Sequence, residues 1–379
     1  MIYWLFYPLS DEVAVLNVLR YTSFRIVMGG LTALLFVLFF GPGIIRRLRL
    51  AQHGLDTIRE DTPERHREKE GTPSMGGLMI LAGAMLGTLL WADPRSRLVW
   101  SVVAVTLGYG AIGFYDDYMK FKNRSKGLSA RAKLVLQFGV AAAVLYLFQS
   151  DLDFRAMDRF PFLGVGFALD TRVAFPFIST QLFYPDLGWL YLPFALFVIV
   201  GTSNAVNLTD GLDGLAIGPS IVAALTWGVL AYAAGTVIAG FNIAQYLYIP
   251  FIEGAAELTV FCASLAGAGI GFLWFNTYPA SIFMGDVGSL AIGGALGMLA
   301  VLTKNELVSV IVHGVFLAEI LSVILQVASF KSTGKRIFRM APIHHHFELK
   351  GWAEPKIIVR FWILSILLAL VAFAGLKLR

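Results

Sequence analysis

The sequence predicts an all-α polytopic integral membrane protein with about ten transmembrane helices in a single domain spanning residues 1–379. Three observations carry this expectation. Hydrophobic residues make up 57% of the 379 positions and charged residues only 15%, with a mean hydropathy of +0.72, far more apolar than a water-soluble core of this size requires. The apolar residues gather in ten uninterrupted stretches, each near the roughly 20 residues that cross a bilayer as a helix. Lysines and arginines concentrate in alternate connections between those stretches, the pattern that sets membrane orientation.

In chain order the predicted spans cover 22–43, 75–91, 98–115, 132–148, 190–206, 215–235, 258–275, 287–302, 307–327 and 357–376. Span one is followed by Arg46, Arg47, Arg49, Arg59, Arg65, Arg67 and Lys69. Span three is followed by Lys120, Lys122, Arg124, Lys126, Arg131 and Lys133, and span nine by Lys331, Lys335, Arg336, Arg339, Lys350 and Lys356. These three connections are therefore expected in the cytoplasm and both termini outside. Arg20, Arg25, Lys377 and Arg379 run against the rule but are too few to reverse it. The opening MIYWLFYPLSDEV has no basic n-region and no small-residue cleavage site, so it is expected to be retained. The net charge of +5 is held in loops, which gives no nucleic-acid footprint. The single cysteine, Cys262, lies in an apolar run and excludes a disulfide framework or a thiolate metal site.

Carboxylates are costly in or beside hydrocarbon and usually mark a pathway or a site. Asp116 and Asp117 close LGYGAIGFYDD, Asp210 and Asp213 fall in NAVNLTDGLDG, and Asp286 lies in FMGDVGS. One such aspartate would read equally well as a helix cap. The predicted topology, however, brings all five to the cytoplasmic face, together with GTPSMGG at 71–77 and APIHHHFE at 341–348. Magnesium binds through one or two carboxylates and otherwise keeps water and phosphate oxygens, so a diphosphate-bearing substrate suits this set. Lys69 and Lys133 supply point charges for phosphate. His344, His345 and His346 cannot share one helix face and are expected in a loop donating to phosphate or sugar oxygens. The strings DGLDG and MGDVGS run straight into spans whose helix N-termini are natural anion sites. Together these features suggest phosphoryl transfer at a diphosphate. Glu319, inside span nine, and His313 near it read either as a proton relay or as groups facing a partner helix, a cavity or a dimer contact.

The strings GTPSMGG, GFYDDYMK, NAVNLTDGLDGLAIGP, WFNTYPASIFMGDVGSLA and RMAPIHHHFELKGW, in this order over nearly the whole chain, resemble the phospho-N-acetylmuramoyl-pentapeptide transferases. These belong to the polyprenyl-phosphate N-acetylhexosamine-1-phosphate transferase superfamily. Ser74 stands where that family commonly has threonine, and both carry a hydroxyl. The resemblance implies transfer of phospho-MurNAc-pentapeptide from UDP-MurNAc-pentapeptide to undecaprenyl phosphate, giving lipid I and UMP with Mg2+, at the inner membrane of a bacterium. It implies Asp286 as the magnesium ligand beside a catalytic Asp116 and Asp117, with His344, His345 and His346 in the catalytic set. Asn204, Asn207, Asp210 and Asp213 would surround the uridine and diphosphate. Asn276 would contact sugar and phosphate, Phe283 would stack on uracil, and Lys69 and Lys133 would lie near the phosphates. It also implies a homodimer and a bent ninth helix beside a lipid groove.

The resemblance leaves open attack by an aspartate to form an aspartyl phosphate, or direct attack by the polyprenyl phosphate. A phosphate monoester has a second pKa of about 6 and is mostly dianionic near neutrality, which favours the direct route. The alternatives are a related polyprenyl-phosphate N-acetylglucosamine-1-phosphate transferase, against which APIHHHFE argues, and an ion-coupled or lipid transporter. Transport would want acids near the bilayer midplane and an internal repeat. A structural scaffold would leave the Asp, Asn and His clusters without a cause.

Overall fold

A computed structural model of the protein describes residues 1–52, 71–122, 127–149 and 171–376. Its helices are α1 (Ile2–Phe6), α2 (Thr22–Ala51), α3 (Gly77–Trp91), α4 (Arg97–Lys122), α5 (Ala130–Gln149), α6 (Tyr191–Thr209) and α7 (Ile217–Gly235). They continue with α8 (Ile243–Leu247), α9 (Leu258–Asn276), α10 (Gly285–Leu302), α11 (Ser309–Val312), α12 (Gly314–Thr333), α13 (Ile343–Glu348) and α14 (Glu354–Ala374). A two-residue hairpin, Val237–Ile238 with Phe241–Asn242, decorates the connection after α7.

Among the described residues nine helices are long and apolar enough to cross a membrane, and α3 is a shorter apolar one. The ten predicted stretches are all helical, with three departures. α3 has 15 residues, about 22 Å at the helical rise, because its first residues form a loop that serves the site described below. α2 runs to Ala51 rather than ending near residue 43, since hydropathy stops at IIRRLRL but helix propensity does not. Span nine is interrupted: α11 ends at Val312, His313 leaves helical geometry at φ −93° and ψ 15°, and α12 begins at Gly314. The His313 ring is buried and pinned at this break, accepting from the Trp227 indole at 2.9 Å and lying 3.4 Å from Thr202 Oγ1.

α10 is apolar all round and buried all round, as such a helix should be. α4, α6, α3 and α7 pack about it, while α9 forms a second centre against α2, α3 and α7. α5, α12 and α14 lie at the periphery and leave large apolar side chains such as Val135, Leu321, Ile324 and Leu367 exposed, the surface a lipid solvent requires.

Arg25 violates the charge rule for a structural reason. Its guanidinium is buried and forks onto Glu257, with Nη1 donating to Oε2 at 2.7 Å and Nη2 to Oε1 at 2.6 Å. The Asp93 amide donates to the same Oε2 at 2.9 Å, so one ion pair ties the starts of α2, α4 and α9. Breaking a buried pair by removing one partner strands the other charge, at a cost of about 3–5 kcal/mol. Glu257→Ala is accordingly expected to lower the thermal unfolding midpoint in detergent markedly, and an unchanged midpoint would show that the fork carries no stability.

Candidate functional site

α4 and α6 run in one direction and α10 in the other, so the C-terminal ends of the first two meet the N-terminus of the third. The approach of α4 to α10 depends on Gly113, where a Cβ would fall 2.2 Å from the Asp286 carbonyl oxygen. One turn beyond it stand Asp116 and Asp117. Single ligand oxygens from Asp116, Asp117 and Asp286 all lie within 4.8 Å of one another.

Two lysines hold this charge together. Lys120 Nζ lies 2.6 Å from Asp116 Oδ2, 3.5 Å from Asp117 Oδ1 and 2.9 Å from Asp286 Oδ2. Lys133 Nζ, from α5, lies 3.0 Å from Asp116 Oδ2 and 2.7 Å from Asp286 Oδ2. Neutral donors complete the shell. The Leu128 amide donates to Asp116 Oδ1 at 2.7 Å, and the Asn207 side-chain amide donates to Asp286 Oδ1 at 2.9 Å and to Ser289 Oγ at 2.8 Å.

The α10 N-terminus is an anion site, as its sequence suggests, but the anion belongs to the chain. The Val287 amide donates to Asp117 Oδ2 at 3.2 Å. An orphan amide and the helix dipole thus stabilise Asp117. Asp210 ends α6 and is half-buried. Burial, then the carboxylates of Asp286, Asp117 and Asp213, push its carboxyl up to about 8 against the Gly285 amide that opposes the shift. A carboxyl so placed spends part of its time protonated near neutrality and can donate a hydrogen bond.

The remaining predicted residues frame this centre. Asp213 is buried; its Oδ2 accepts from the Ala280 amide at 3.0 Å, and its backbone amide donates to Glu354 Oε1 at 3.2 Å. The Asn276 side chain accepts from the Gly214 amide at 3.0 Å and donates to the Ile282 carbonyl at 2.8 Å. It therefore joins the 210–214 turn to the 277–284 loop. Asn204 lies one turn deeper than Asn207 and donates to Gln137 Oε1 and the Val200 carbonyl, both at 2.8 Å, so its contacts lie outside the carboxylate cluster. Phe283 is half-buried on a strand-like pairing: its amide donates to the Pro73 carbonyl at 2.9 Å, and Gly76 and Gly77 donate back to Phe283 and Met284, both at 2.8 Å. GTPSMGG and FMGD thus form one wall. Gln52 steadies that wall by bonding both backbone groups of Ser74. Lys69 lies outside the described residues.

The histidine string is a short helix, α13, rather than the expected loop. Because adjacent side chains on a helix point about 100° apart, the three imidazoles go three ways. His344 is buried against Glu319, His345 Nδ1 lies 2.6 Å from Glu348 Oε2, and His346 Nδ1 accepts from the Arg339 amide at 3.1 Å. Lys120 and Glu319 are the members that the sequence reading left out of the site. Lys120 had a signal, since i+4 from Asp116 and i+3 from Asp117 share one helix face.

Three convergent carboxylates with amide and ammonium neighbours form a hard-oxygen set that can hold a divalent cation, and Lys120 Nζ already stands among those oxygens as a cation. The helical architecture and this acidic centre define a polytopic membrane protein with a candidate divalent-cation site. Residues 99–304 match Glycosyl transferase family 4, and residues 69–81 match the phospho-N-acetylmuramoyl-pentapeptide-transferase signature 1. The chain is 63% identical to a phospho-N-acetylmuramoyl-pentapeptide-transferase of Anaeromyxobacter sp. (strain Fw109-5), 56% to that of Myxococcus xanthus (strain DK1622) and 51% to that of Syntrophus aciditrophicus (strain SB). In each case the whole of both chains is covered. The chain belongs to the phospho-N-acetylmuramoyl-pentapeptide-transferase family.

An ammonium and a metal ion that share ligand oxygens compete. Lys120→Ala is therefore expected to tighten Mn2+ binding by the detergent-solubilised protein about tenfold or more, read by electron paramagnetic resonance, given charge interactions of about 4 kcal/mol at this range. Unchanged affinity would show that the metal sits elsewhere.

Proposed function

We propose that the chain transfers phospho-MurNAc-pentapeptide from UDP-MurNAc-pentapeptide to undecaprenyl phosphate at the cytoplasmic face of the bacterial inner membrane, giving lipid I and UMP with Mg2+ as cofactor. The observation that carries the reading is the convergence of Asp116, Asp117 and Asp286 with Lys120 and Lys133 at one end of the helix bundle, in a chain similar over its full length to transferases of that name. The basic residues at the C-terminal ends of α2 and α4 support the cytoplasmic assignment, and with it termini on the outer side.

In the reaction an oxygen of the polyprenyl phosphate bonds to the sugar-side phosphorus of the donor, and the bond from that phosphorus to the UMP oxygen breaks. Asp286, with Asp116 and Asp117 beside it, would hold Mg2+, which neutralises diphosphate charge and stabilises the leaving UMP. Lys120 and Lys133 offset the repulsion between the carboxylates and would offer their ammonium groups to phosphate oxygens. Asp116 has both oxygens engaged by Leu128, Lys120 and Lys133, which suits an anchor better than a nucleophile. This supports direct attack by the polyprenyl phosphate, with Asp117, whose Oδ1 is held more loosely by Lys120, as the carboxylate nearer the chemistry. On this reading Asn207, Asp210 and the Phe283 wall would contact the nucleotide, and His345 and His346 the sugar and phosphates.

The apolar acceptor has a matching feature. A cavity of about 400 Å³ between α12 and α14 is lined by Gly314, Ala318, Phe347, Trp352, Phe361 and Arg360. The Arg360 guanidinium sits 4.2 Å above the Trp352 ring. Apolar walls with a cation at the rim fit an isoprenoid phosphate.

The test is UMP release by purified protein given both substrates and magnesium. Release is expected to require every component, to fail with UDP-N-acetylglucosamine as donor, and to fall about a hundredfold or more in Asp286→Asn, the scale of losing a preorganised charge contact. A folded sample that releases UMP with neither donor would overturn the reading.

A further inference from the structure

Glu319 is a fully buried acid on α12, a helix that otherwise turns apolar side chains outward to lipid. It lies on the inward stripe of Val315, Phe316, Glu319 and Ser322. An ionisable group there is expensive, and an alanine or leucine would pack at lower cost. Its partner comes from 25 residues along the chain. His344 Nδ1 lies 3.1 Å from Glu319 Oε2, and the His344 backbone amide donates to the same oxygen at 3.4 Å. His344 is as buried as the acid.

The opposite edge of the imidazole is also confined. A Cβ at Gly211 would lie 2.3 Å from His344 Nε2, so the ring fits beneath the turn between Asp210 and Asp213 only because residue 211 is glycine. Glu319 Oε1 and both ring nitrogens of His344 are buried without a hydrogen-bond partner, so the acid holds the imidazole by close charge contact and through the His344 backbone amide. Such orphaned groups are costly and call for a reason beyond packing. The same short helix meets both the apolar cavity, which Ile343 and Phe347 line, and the Asp210–Asp213 turn, against which His344 packs at Gly211.

We propose that Glu319 is a positioning residue for the transfer reaction: its carboxylate fixes His344 beneath Gly211, and so sets the histidine helix and the Asp210–Asp213 turn at the height that the reacting groups need. The inference rests on the transfer activity proposed above. Glu319 touches no reacting atom; it acts through His344. The interrupted ninth span, the histidine helix and the nucleotide-side turn are thereby one mechanical unit.

The experiment is steady-state UMP release by the wild type, Glu319→Ala, Glu319→Gln, His344→Ala and the Glu319→Ala/His344→Ala double variant, each checked for a monodisperse, folded state. Misplacement at a reacting centre acts on the chemical step, so kcat is expected to fall about tenfold or more in Glu319→Ala while KM for the nucleotide donor stays within about threefold. Glu319→Gln, which keeps an oxygen at the same place, is expected to recover most of that loss. The double variant is expected to be no slower than His344→Ala, the mark of residues acting through one another. Losses that multiply in the double variant, or a wild-type kcat in Glu319→Ala, would overturn the inference while leaving the transfer reading intact. A folded wild-type chain that releases no UMP would overturn both. Should the alanine variant fail to fold, the glutamine variant, tested alone and with His344→Ala, decides by the same non-additivity.

Discussion

Bringing three carboxylates to one point at the end of an apolar helix bundle is the constraint on which the rest of the structure depends. Unit charges a few ångströms apart repel by several kcal/mol in such surroundings, and desolvation adds to the cost. The chain answers with two ammonium groups, the Val287 amide from the first turn of α10 and the side chain of Asn207. Each answer fixes an element. Lys133 pins α5, the Val287 amide requires α10 to start between α4 and α6, and Asn207 fixes the rotation of α6. The helix bundle is thus organised by its charges at one end and by small residues and apolar packing along its length.

Much of the fold was legible because a lipid solvent forces long apolar helices, and the ten apolar stretches recovered ten helices. Hydropathy could not show where a helix stops being membrane and continues as helix, which is why α2 extends past its apolar stretch. Nor could it show the interruption at His313, which comes from a side chain pinned by Trp227 and Thr202 on other helices. A break held by tertiary contacts leaves no local signature beyond a neighbouring glycine.

In the site, the five aspartates were legible because an acid at the end of an apolar run has few bland explanations. Asn276 and Asn204 were harder to read, since an asparagine facing substrate and one bonding backbone look alike in sequence. Asn276 proves to be occupied by Gly214 and Ile282. The histidine triplet is helical although three adjacent imidazoles cannot share one helix face, because they need not act on one target. The helix instead divides them among three partners. Lys120 was read for topology alone, although its spacing from Asp116 and Asp117 already placed it on their face.

The arrangement separates two demands that a transferase of this kind faces. Asp286 rides on the most enclosed helix, where packing on every side fixes a carboxylate to the tolerance that phosphoryl chemistry needs. The histidines sit on α13 and the apolar cavity lies among α12, α13 and α14, of which α12 and α14 leave most of their surface open, as the proposed isoprenoid acceptor would need. A rigid centre and an adaptable flank must still keep register with each other, and purely apolar contacts slide easily. The buried contact between Glu319 and His344, beneath a glycine whose missing side chain leaves room for the ring, is the proposed coupling between the two.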